Sequence, residues 1–278
     1  MEQHIIFLDV DGTLCNEHGV VPPSAIKAIQ QARENGHLVY LCTGRAKAEL
    51  YDFILDIGFD GMILSSGAYI IIDDVVLLDK HLRKEEVIDI IEFFDSHDIH
   101  YYLESNHGLY ASEGALNVLH SFVDSLLKDT PSKKEQIMQG MGSFVKNMKP
   151  LNESTLEDIN KISILSNSYG FENLIKKYPQ YDMIPNTVAE FGENSGELSI
   201  PGITKGSAIQ LVLEHLKFDI KNTFGYGDSY NDYEMMAVVA HGIAMGNATP
   251  SLKEIADDVT DTHNNDGLYK SFKKYKLI

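Results

Sequence analysis

The sequence predicts an α/β protein with a parallel-sheet core and an inserted α+β domain. In residues 1–82, short apolar segments of strand length alternate with segments of helical periodicity. The same alternation returns over residues 190–278, whereas residues 83–189 lose it. We therefore expect a core built from the two outer ranges, with the middle block inserted into it.

The first part of the core begins with a strand and alternates with helices. Pro22-Pro23-Ser24 opens the first helix and Gly36 ends it, while Asp73-Asp74 is typical of a tight turn between two strands. The predicted strands are residues 5–8, 38–42, 61–64, 68–72 and 75–78, and the predicted helices are residues 25–35 and 46–57.

The middle block and the second part of the core follow from the same signals. In the middle block we predict helices at residues 84–96, 114–128 and 171–177, and strands at 99–105, 108–112, 159–166 and 181–185. In the second part of the core we predict strands at 197–200, 222–226 and 241–245, and helices at 205–216, 233–239 and 250–256.

Composition excludes several classes of protein. The 278-residue chain carries a formal net charge of −18, which argues against binding to nucleic acid or to an anionic membrane. No apolar run approaches the roughly 20 residues that span a bilayer. Two cysteines and an N-terminus without signal-peptide features lead us to expect a cytoplasmic protein. The sequence carries no mark of oligomeric state.

The first strand ends in two carboxylates, Asp9 and Asp11, followed by Gly12. A buried strand cannot hold two acids in its middle, so we expect both at its mouth. If the extended geometry persists, residues at i and i+2 point to one side and can share a site. Two anions held together require a cation, a shared proton, or both.

A calcium loop is the alternative interpretation of this acidic segment, and the spacing excludes it. An EF-hand loop needs glycine at its sixth position and glutamate at its twelfth. Counted from Asp9, those positions hold Leu14 and Val20. The segment is therefore a different kind of acidic site.

Polar residues follow four predicted segments of the core. The clusters are Asp9/Asp11/Thr13, Thr43-Gly44-Arg45, Thr204-Lys205-Gly206 and Asp228-Ser229/Asn231-Asp232. Ligands of open α/β sheets bind beyond the carboxyl ends of the strands, so these clusters can converge there. Three of the four also open a predicted helix, where free N–H groups favour an anion. Carboxylate oxygens without Cys or His ligands favour Mg²⁺ over zinc.

Taken together and in this order, the clusters resemble the four motifs of haloacid dehalogenase (HAD) superfamily phosphatases. The inserted block and the tail at residues 264–268 are similar to the Cof-like subfamily. The resemblance covers residues 1–82 and 190–278, and it implies a Rossmann-like core with residues 83–189 as a cap domain. One departure is Ser66, where many relatives have asparagine, and this concerns a local substrate contact.

The resemblance also implies roles for individual residues. Asp9 is then the nucleophile that becomes an aspartyl-phosphate, and Asp11 is the general acid and base. Mg²⁺ is held by Asp9, by the backbone carbonyl of Asp11 and by Asp228. The implied phosphate-binding residues are Val10, Thr43, Gly44, Lys205 and Asn231, and the supporting residues are Thr13, Ser229 and Asp232. Arg45 lies on the same loop, but a role at a helix start fits it equally well.

We therefore expect a Mg²⁺-dependent phosphatase that hydrolyses small phosphorylated metabolites such as sugar phosphates. Two alternatives stay open. A phosphomutase-type enzyme transfers the phosphoryl group to another hydroxyl, and a binding or regulatory module recognises a phosphorylated ligand without turnover. Asp11 argues against the binding module, because a pure binder has no need of a general acid.

Overall fold

The computed structural model describes residues 2–16, 19–185 and 191–278. Its chain forms two compact units. The first comprises Met1–Arg45, Leu50–Asp79 and Ile203–Ile278, and the second comprises Ala46–Glu49 and Lys80–Gly202. The predicted boundary between residues 189 and 190 lies outside the described residues. The assignment of the inserted block as a cap stays a prediction.

The first unit is built on an eight-stranded sheet. Its strands, in chain order, are β1 Ile5–Leu8, β2 Leu38–Cys42, β3 Gly61–Leu64, β4 Tyr69–Ile72, β5 Val75–Asp79, β12 Thr223–Gly227, β13 His241–Ala244 and β14 Asp258–Val259. Its helices are α1 Pro23–Glu34, α2 Asp52–Leu55, α8 Lys205–Leu216, α9 Tyr233–Val238, α10 Pro250–Ile255 and α11 Gly267–Lys274. The spatial order is β14-β13-β12-β1-β2-β3-β4-β5.

Strand β1 lies in the middle of this sheet and pairs in parallel with β2 and β12. All four of its residues are fully buried. Successive side chains of a strand point to opposite faces. Accordingly, Ile6 and Leu8 pack in one apolar cluster with α1 and α11, while Ile5 and Phe7 pack in another with α8 and α9. Helices on both faces are what a parallel sheet requires.

The second unit contains a six-stranded sheet in the order β10-β11-β9-β6-β7-β8. Its strands are β6 Tyr101–Ser105, β7 Leu109–Ala111, β8 Met148–Pro150, β9 Ile159–Ile164, β10 Asp182–Pro185 and β11 Gly196–Ser199. Its helices are α3 Lys84–Ser96, α4 Glu113–Asp129, α5 Lys134–Ile137, α6 Ser143–Asn147 and α7 Phe171–Lys177. Its pairings are antiparallel except for β7 with β8. The predicted α/β fold class with an α+β insertion is thereby confirmed.

A strand does form at the predicted residues 197–200, but it belongs to the six-stranded sheet of the second unit. We expected it in the core, whereas β11 pairs with β9 and β10 of the inserted unit. A short strand that alternates in burial satisfies either sheet equally well, so its sequence does not select its partner.

The predicted helix at residues 46–57 is also wrong. Lys47–Glu49 form a single 3-10 turn, and only Asp52–Leu55 are α-helical. The Glu49 carboxylate accepts a hydrogen bond from the Ala46 N–H at 2.6 Å, and Glu49 is buried. Because Ala46–Glu49 pack in the second unit and Leu50 returns to the first, a continuous helix cannot form here. Tertiary packing overrides helical propensity.

In the described part of the chain, no helix is both long enough and apolar enough to cross a membrane.

The hairpin turn between β4 and β5 offers a test of the local backbone. Asp73 and Asp74 form a two-residue loop, and both have positive φ, 48° and 63°. Such turns favour glycine at the second position, because a Cβ atom is strained there. We expect Asp74→Gly to raise the thermal midpoint by about 1–3 °C and Asp74→Ala to lower it. A midpoint that falls with Asp74→Gly would contradict this description of the turn.

Candidate active site

The carboxyl ends of three neighbouring strands carry the predicted site residues. Asp9 follows β1, Thr43 follows β2 and Asp228 follows β12, and these strands are adjacent in the order β12-β1-β2. Parallel strands end at the same edge of a sheet, so three segments distant in sequence meet there. The order of the strands in the sheet therefore brings these three clusters together, as expected.

Lys205 is the central cation of this edge. It is the first residue of α8, whose N-terminus is capped by the Thr204 side chain. Its side chain is completely buried, and Nζ lies 2.6 Å from Asp9 Oδ1 and 2.6 Å from Asp232 Oδ1. Burial alone disfavours the charged amine, but the carboxylates of Asp232 and Asp9 outweigh it and raise the pKa of Lys205 above its ordinary value.

Asp232 joins this lysine to the turn that carries Asp228. Its Oδ1 accepts from Lys205, while its Oδ2 accepts the backbone N–H groups of Asp228 and Ser229 at 2.9 and 3.1 Å. Gly227 is required for this approach, because a Cβ atom there would lie 2.4 Å from Asp232 Cγ. Both oxygens of Asp232 are therefore occupied by protein donors.

The site holds more negative charge than Lys205 can balance. Oxygen atoms of Asp9, Asp228 and Asp232 all lie within 4.8 Å of one another. Burial raises the pKa of Asp9 to about 7, despite the opposing effect of Lys205. Burial, reinforced by the charges of Asp9 and Asp232, raises the pKa of Asp228 to about 8. A bound cation would relieve this strain between like charges.

The donor set fits a divalent metal ion. Asp228 Oδ1 is buried and has no hydrogen-bond partner among the described residues. An orphaned buried carboxylate oxygen is costly, and a cation is the partner that it lacks. Lys205 occupies only one of the lone pairs of Asp9, at Oδ1, so this carboxylate can accept a cation as well. Because Asp232 is fully engaged, Asp9 and Asp228 are the side chains left for a hard metal such as Mg²⁺.

Asp11 lies in a different environment from Asp9. The backbone turns after β1, with the Leu14 N–H donating to the Asp9 carbonyl and the Cys15 N–H to the Val10 carbonyl. Asp9 is 3% exposed, whereas the Asp11 side chain is 60% exposed. Asp11 forms a bidentate ion pair with Arg45, at 2.8 Å from Nε to Oδ2 and 2.6 Å from Nη2 to Oδ1. The two acids therefore lie in different environments although only one residue separates them.

The predicted phosphate-binding and supporting residues lie in the same segments. Thr43 is buried, and its hydroxyl accepts the Arg45 N–H at 3.1 Å. The Ser229 hydroxyl donates to Asn231 Oδ1 at 2.9 Å. The hydroxyl of buried Thr13 has no hydrogen-bond partner within the described ranges. Gly44 follows Thr43 directly in a half-buried loop and, contrary to expectation, no α-helix begins there.

Ser66 contributes to this edge through its backbone. Its φ is 55°, in the left-handed region, and its N–H donates to the Thr43 carbonyl at 3.0 Å. Asparagine tolerates this conformation better than most residues. Ser66 therefore supports the Thr43 loop through its backbone.

Two residues that contribute to this edge were not identified from the sequence. Arg45 was not assigned to Asp11, because a pair 34 residues apart leaves no local signal. Asn247 follows β13, next to β12, and donates to the Gly12 carbonyl at 2.7 Å. A polar residue just beyond a core strand was the signal that could have identified it.

The fold and the site define a class of α/β proteins with an acidic, lysine-containing centre at the carboxyl edge of the sheet. The chain belongs to the haloacid dehalogenase-like hydrolases, whose family model matches residues 6–272. This membership confirms the resemblance drawn from the four motifs and the prediction of a hydrolase.

Similar proteins agree with this assignment. Phosphatase YwpJ of Bacillus subtilis is 27% identical over 281 residues, covering 97% of this chain and 98% of the relative. The 5-amino-6-(5-phospho-D-ribitylamino)uracil phosphatase YwtE of the same organism is 26% identical, covering 95% and 94%. A solved structure of a hypothetical protein from Geobacillus kaustophilus is 26% identical, covers 100% of both chains and superposes with a TM-score of 0.82.

The buried lysine can be tested by its effect on stability. Lys205→Met leaves Asp9 and Asp232 buried without their cation, and we expect it to lower the free energy of unfolding by about 3–5 kcal/mol. The measurement is chemical denaturation in EDTA. Lys221→Met removes an exposed lysine of the same unit and should change stability by less than about 0.5 kcal/mol. Equal stability of the two variants would contradict the ion-pair geometry.

Proposed function

We propose that the protein is a Mg²⁺-dependent phosphatase that hydrolyses small phosphorylated metabolites through an aspartyl-phosphate on Asp9. The observation that carries this proposal is the environment of Asp9. One of its oxygens is held by Lys205 at 2.6 Å, and the other accepts no hydrogen bond from a described residue. A carboxylate that is fixed and desolvated, yet has one oxygen free of donors, is suited to attack phosphorus.

The reaction would proceed in two displacements. In the first, an Asp9 oxygen forms a bond to phosphorus while the bond from phosphorus to the ester oxygen breaks, and Asp11 gives its proton to that leaving oxygen. In the second, Asp11 takes a proton from water as the water oxygen attacks phosphorus, and the bond to Asp9 breaks. Inorganic phosphate and the free alcohol are the products, and both carboxyl groups return to their starting states.

Asp11 suits proton transfer because of its position and its partner. It lies two residues after Asp9, and its exposed carboxylate is held in one orientation by the bidentate Arg45. A general acid has to reach the leaving oxygen, and a fixed side chain pays less entropy to do so. The same exposure leaves it open to the water of the second step.

Charge on the transferred phosphoryl group would be balanced by residues of the same edge. Lys205 supplies a buried positive charge, and Thr43, the Gly44 N–H and Asn231 supply hydrogen-bond donors. The Val10 N–H donates to no described residue, which leaves it available for a phosphate oxygen. Stabilisation of charge on these oxygens is most of what a phosphoryl-transfer site has to do.

Asp9, the backbone carbonyl of Asp11 and Asp228 would hold the metal ion. Bound there, Mg²⁺ would reduce the repulsion between Asp9 and a phosphate dianion and would polarise the phosphoryl oxygens. The support from this chain is the orphaned Asp228 Oδ1 and the excess of carboxylates over cations at the site. Hard oxygen donors favour Mg²⁺.

Several features support a small phosphorylated metabolite as the substrate. Both curated relatives described above are named phosphatases, and one is named for a phosphorylated ribityl compound. A net charge of −18 disfavours polyanionic partners, whereas a single phosphate needs only the local charge of Lys205 and the metal ion. We further propose that the inserted unit is the cap domain that selects the substrate.

A panel of metabolite phosphates tests this function, with free phosphate measured in Mg²⁺ and in EDTA. If the protein is a phosphatase, we expect metal-dependent release of phosphate from several members of the panel. A phosphomutase would instead move the phosphoryl group between hydroxyls without releasing it. A binding module would release none, although the metabolites would still bind.

Asp9→Asn should abolish turnover and leave the fold intact. The amide cannot act as the nucleophile, yet its oxygen can still accept a hydrogen bond from Lys205, so we expect a loss of at least about 1,000-fold. The checks are phosphate release and the thermal midpoint. Asp124→Asn, an exposed acid on α4, serves as the matched control. A folded Asp9→Asn enzyme with normal turnover would refute the covalent mechanism.

Arg45→Lys should slow alkyl phosphates more than aryl phosphates. Lysine cannot reproduce the bidentate contact with Asp11, and only a poor leaving group depends on the general acid. We expect kcat to fall about tenfold or more for a sugar phosphate and less than about threefold for p-nitrophenyl phosphate.

Arg33→Lys is the control for this comparison, because Arg33 makes the same bidentate contact with Asp60. It should leave the ratio of the two rates unchanged. Equal slowing of both substrates by Arg45→Lys would show that Arg45 does not act through Asp11.

A further inference from the structure

A network of polar side chains lies behind the acidic site, on the side of β13. Asn247 is its central member. One hydrogen of its Nδ2 points to the Gly12 carbonyl at 2.7 Å, and Nδ2 also lies 3.4 Å from Asp228 Oδ2. An amide nitrogen carries two hydrogens, so one side chain can serve both acceptors. Asn247 therefore links the loop after β1 to the carboxylate after β12.

The orientation of this amide follows from a backbone donor. The His263 N–H can only donate, and it faces Asn247 Oδ1 at 3.4 Å. His263 Nδ1 lies 2.9 Å from the same oxygen and 3.2 Å from the Gly12 carbonyl. With Oδ1 facing His263, the Nδ2 group has to face Gly12 and Asp228. The donor is thus directed at the acidic site.

His263 is held on its other side by two side-chain amides. The Val20 N–H donates to Asn16 Oδ1, so Asn16 Nδ2 donates to Asn264 Oδ1 at 3.4 Å. Asn264 Nδ2 then faces His263 Nε2 at 3.1 Å and makes that nitrogen an acceptor. His263 Nδ1 faces two acceptors, the Gly12 carbonyl and Asn247 Oδ1, and a proton on this nitrogen can be donated to either.

The network meets the acidic site at a close contact between Gly12 and Asp228. Gly12 has a φ of +79°, and a Cβ atom at this position would lie 2.2 Å from Asp228 Oδ2. Asp228 therefore rests on the Gly12 backbone. With Oδ2 next to Asn247, the oxygen that lacks a partner among the described residues is the buried Oδ1. The amide thus fixes which carboxylate oxygen is left for a cation.

We propose that Asn247, held by His263, is a positioning residue that sets the Asp228 carboxylate and the Gly12 loop for metal binding. This inference rests on the proposed function, because it assigns residues to the metal side of that site. Residues that hold metal ligands by hydrogen bonds typically contribute a factor of about 10–100 in metal affinity. The proposal gives residues 263–264 a role in positioning the metal site, although they belong to none of the four motifs.

Calorimetric titration with Mg²⁺ alone, in the absence of any phosphate ester, tests the proposal directly. We expect Asn247→Ala to raise the dissociation constant for Mg²⁺ by about 10–100-fold. In activity assays, the Mg²⁺ concentration for half-activation should rise by the same factor. The KM for p-nitrophenyl phosphate and kcat at saturating Mg²⁺ should change by less than about threefold.

Asn222→Ala is the matched control. Asn222 precedes β12 at its opposite end and donates to Glu2 at 3.0 Å. This variant should bind Mg²⁺ like the wild type. If Asn247→Ala fails to fold, a pair of His263 variants replaces it. His263→Asn keeps a donor near the Nδ1 position and should bind Mg²⁺ within about threefold of the wild type, whereas His263→Leu should bind about tenfold more weakly.

Unchanged Mg²⁺ affinity in Asn247→Ala, or equal affinities of the two His263 variants, would overturn the proposal. A wild-type protein that binds neither Mg²⁺ nor Mn²⁺ would overturn it as well. Failure of the proposed function gives a different result. In that case Asn247→Ala weakens Mg²⁺ binding as expected, while no metabolite phosphate is hydrolysed.

Discussion

The contact of the buried Lys205 ammonium with Asp9 and Asp232 is the interaction on which the rest of the site depends. It brings the first turn of α8 to the carboxyl ends of β1 and β12. It also explains why three carboxylates can be buried together at all, since each would otherwise face only like charges. One lysine does not neutralise three acids, and this excess of negative charge is the basis for the metal site proposed at this edge of the sheet.

Two aspartates separated by one residue acquire different chemistry from their surroundings. Asp9 is desolvated and held by a buried cation, which suits a nucleophile that has to attack from one fixed position. Asp11 is exposed and oriented by Arg45, which suits a group that exchanges protons with a leaving oxygen and with water. Environment therefore separates the proposed roles of these residues, as it does wherever neighbouring acids divide acid–base work.

Much of this site could be predicted because the ends of strands can be recognised in a sequence. An apolar run followed by Asp9, or by Asp228, marks the edge of a parallel sheet without any knowledge of strand order. Contacts that depend on tertiary neighbours were not readable. Arg45 meets an acid 34 residues away, Asn247 is one polar residue beyond a short strand, and β11 pairs in the sheet of the inserted unit. The break in the predicted helix at residues 46–57 has the same origin, because Ala46–Glu49 pack in the second unit.

We propose that Asp9 carries the phosphoryl group during turnover, and the decisive measurement is rapid-quench kinetics of Asp11→Asn with p-nitrophenyl phosphate. Nitrophenolate leaves without a proton donor, whereas breakdown of the phosphoenzyme needs the missing base. We expect a burst of one nitrophenolate per active site with no free phosphate, and conversion of Asp9 to homoserine when the quenched enzyme is reduced with borohydride. Release of nitrophenolate and phosphate at the same rate from the first turnover, with Asp9 unmodified, would contradict it.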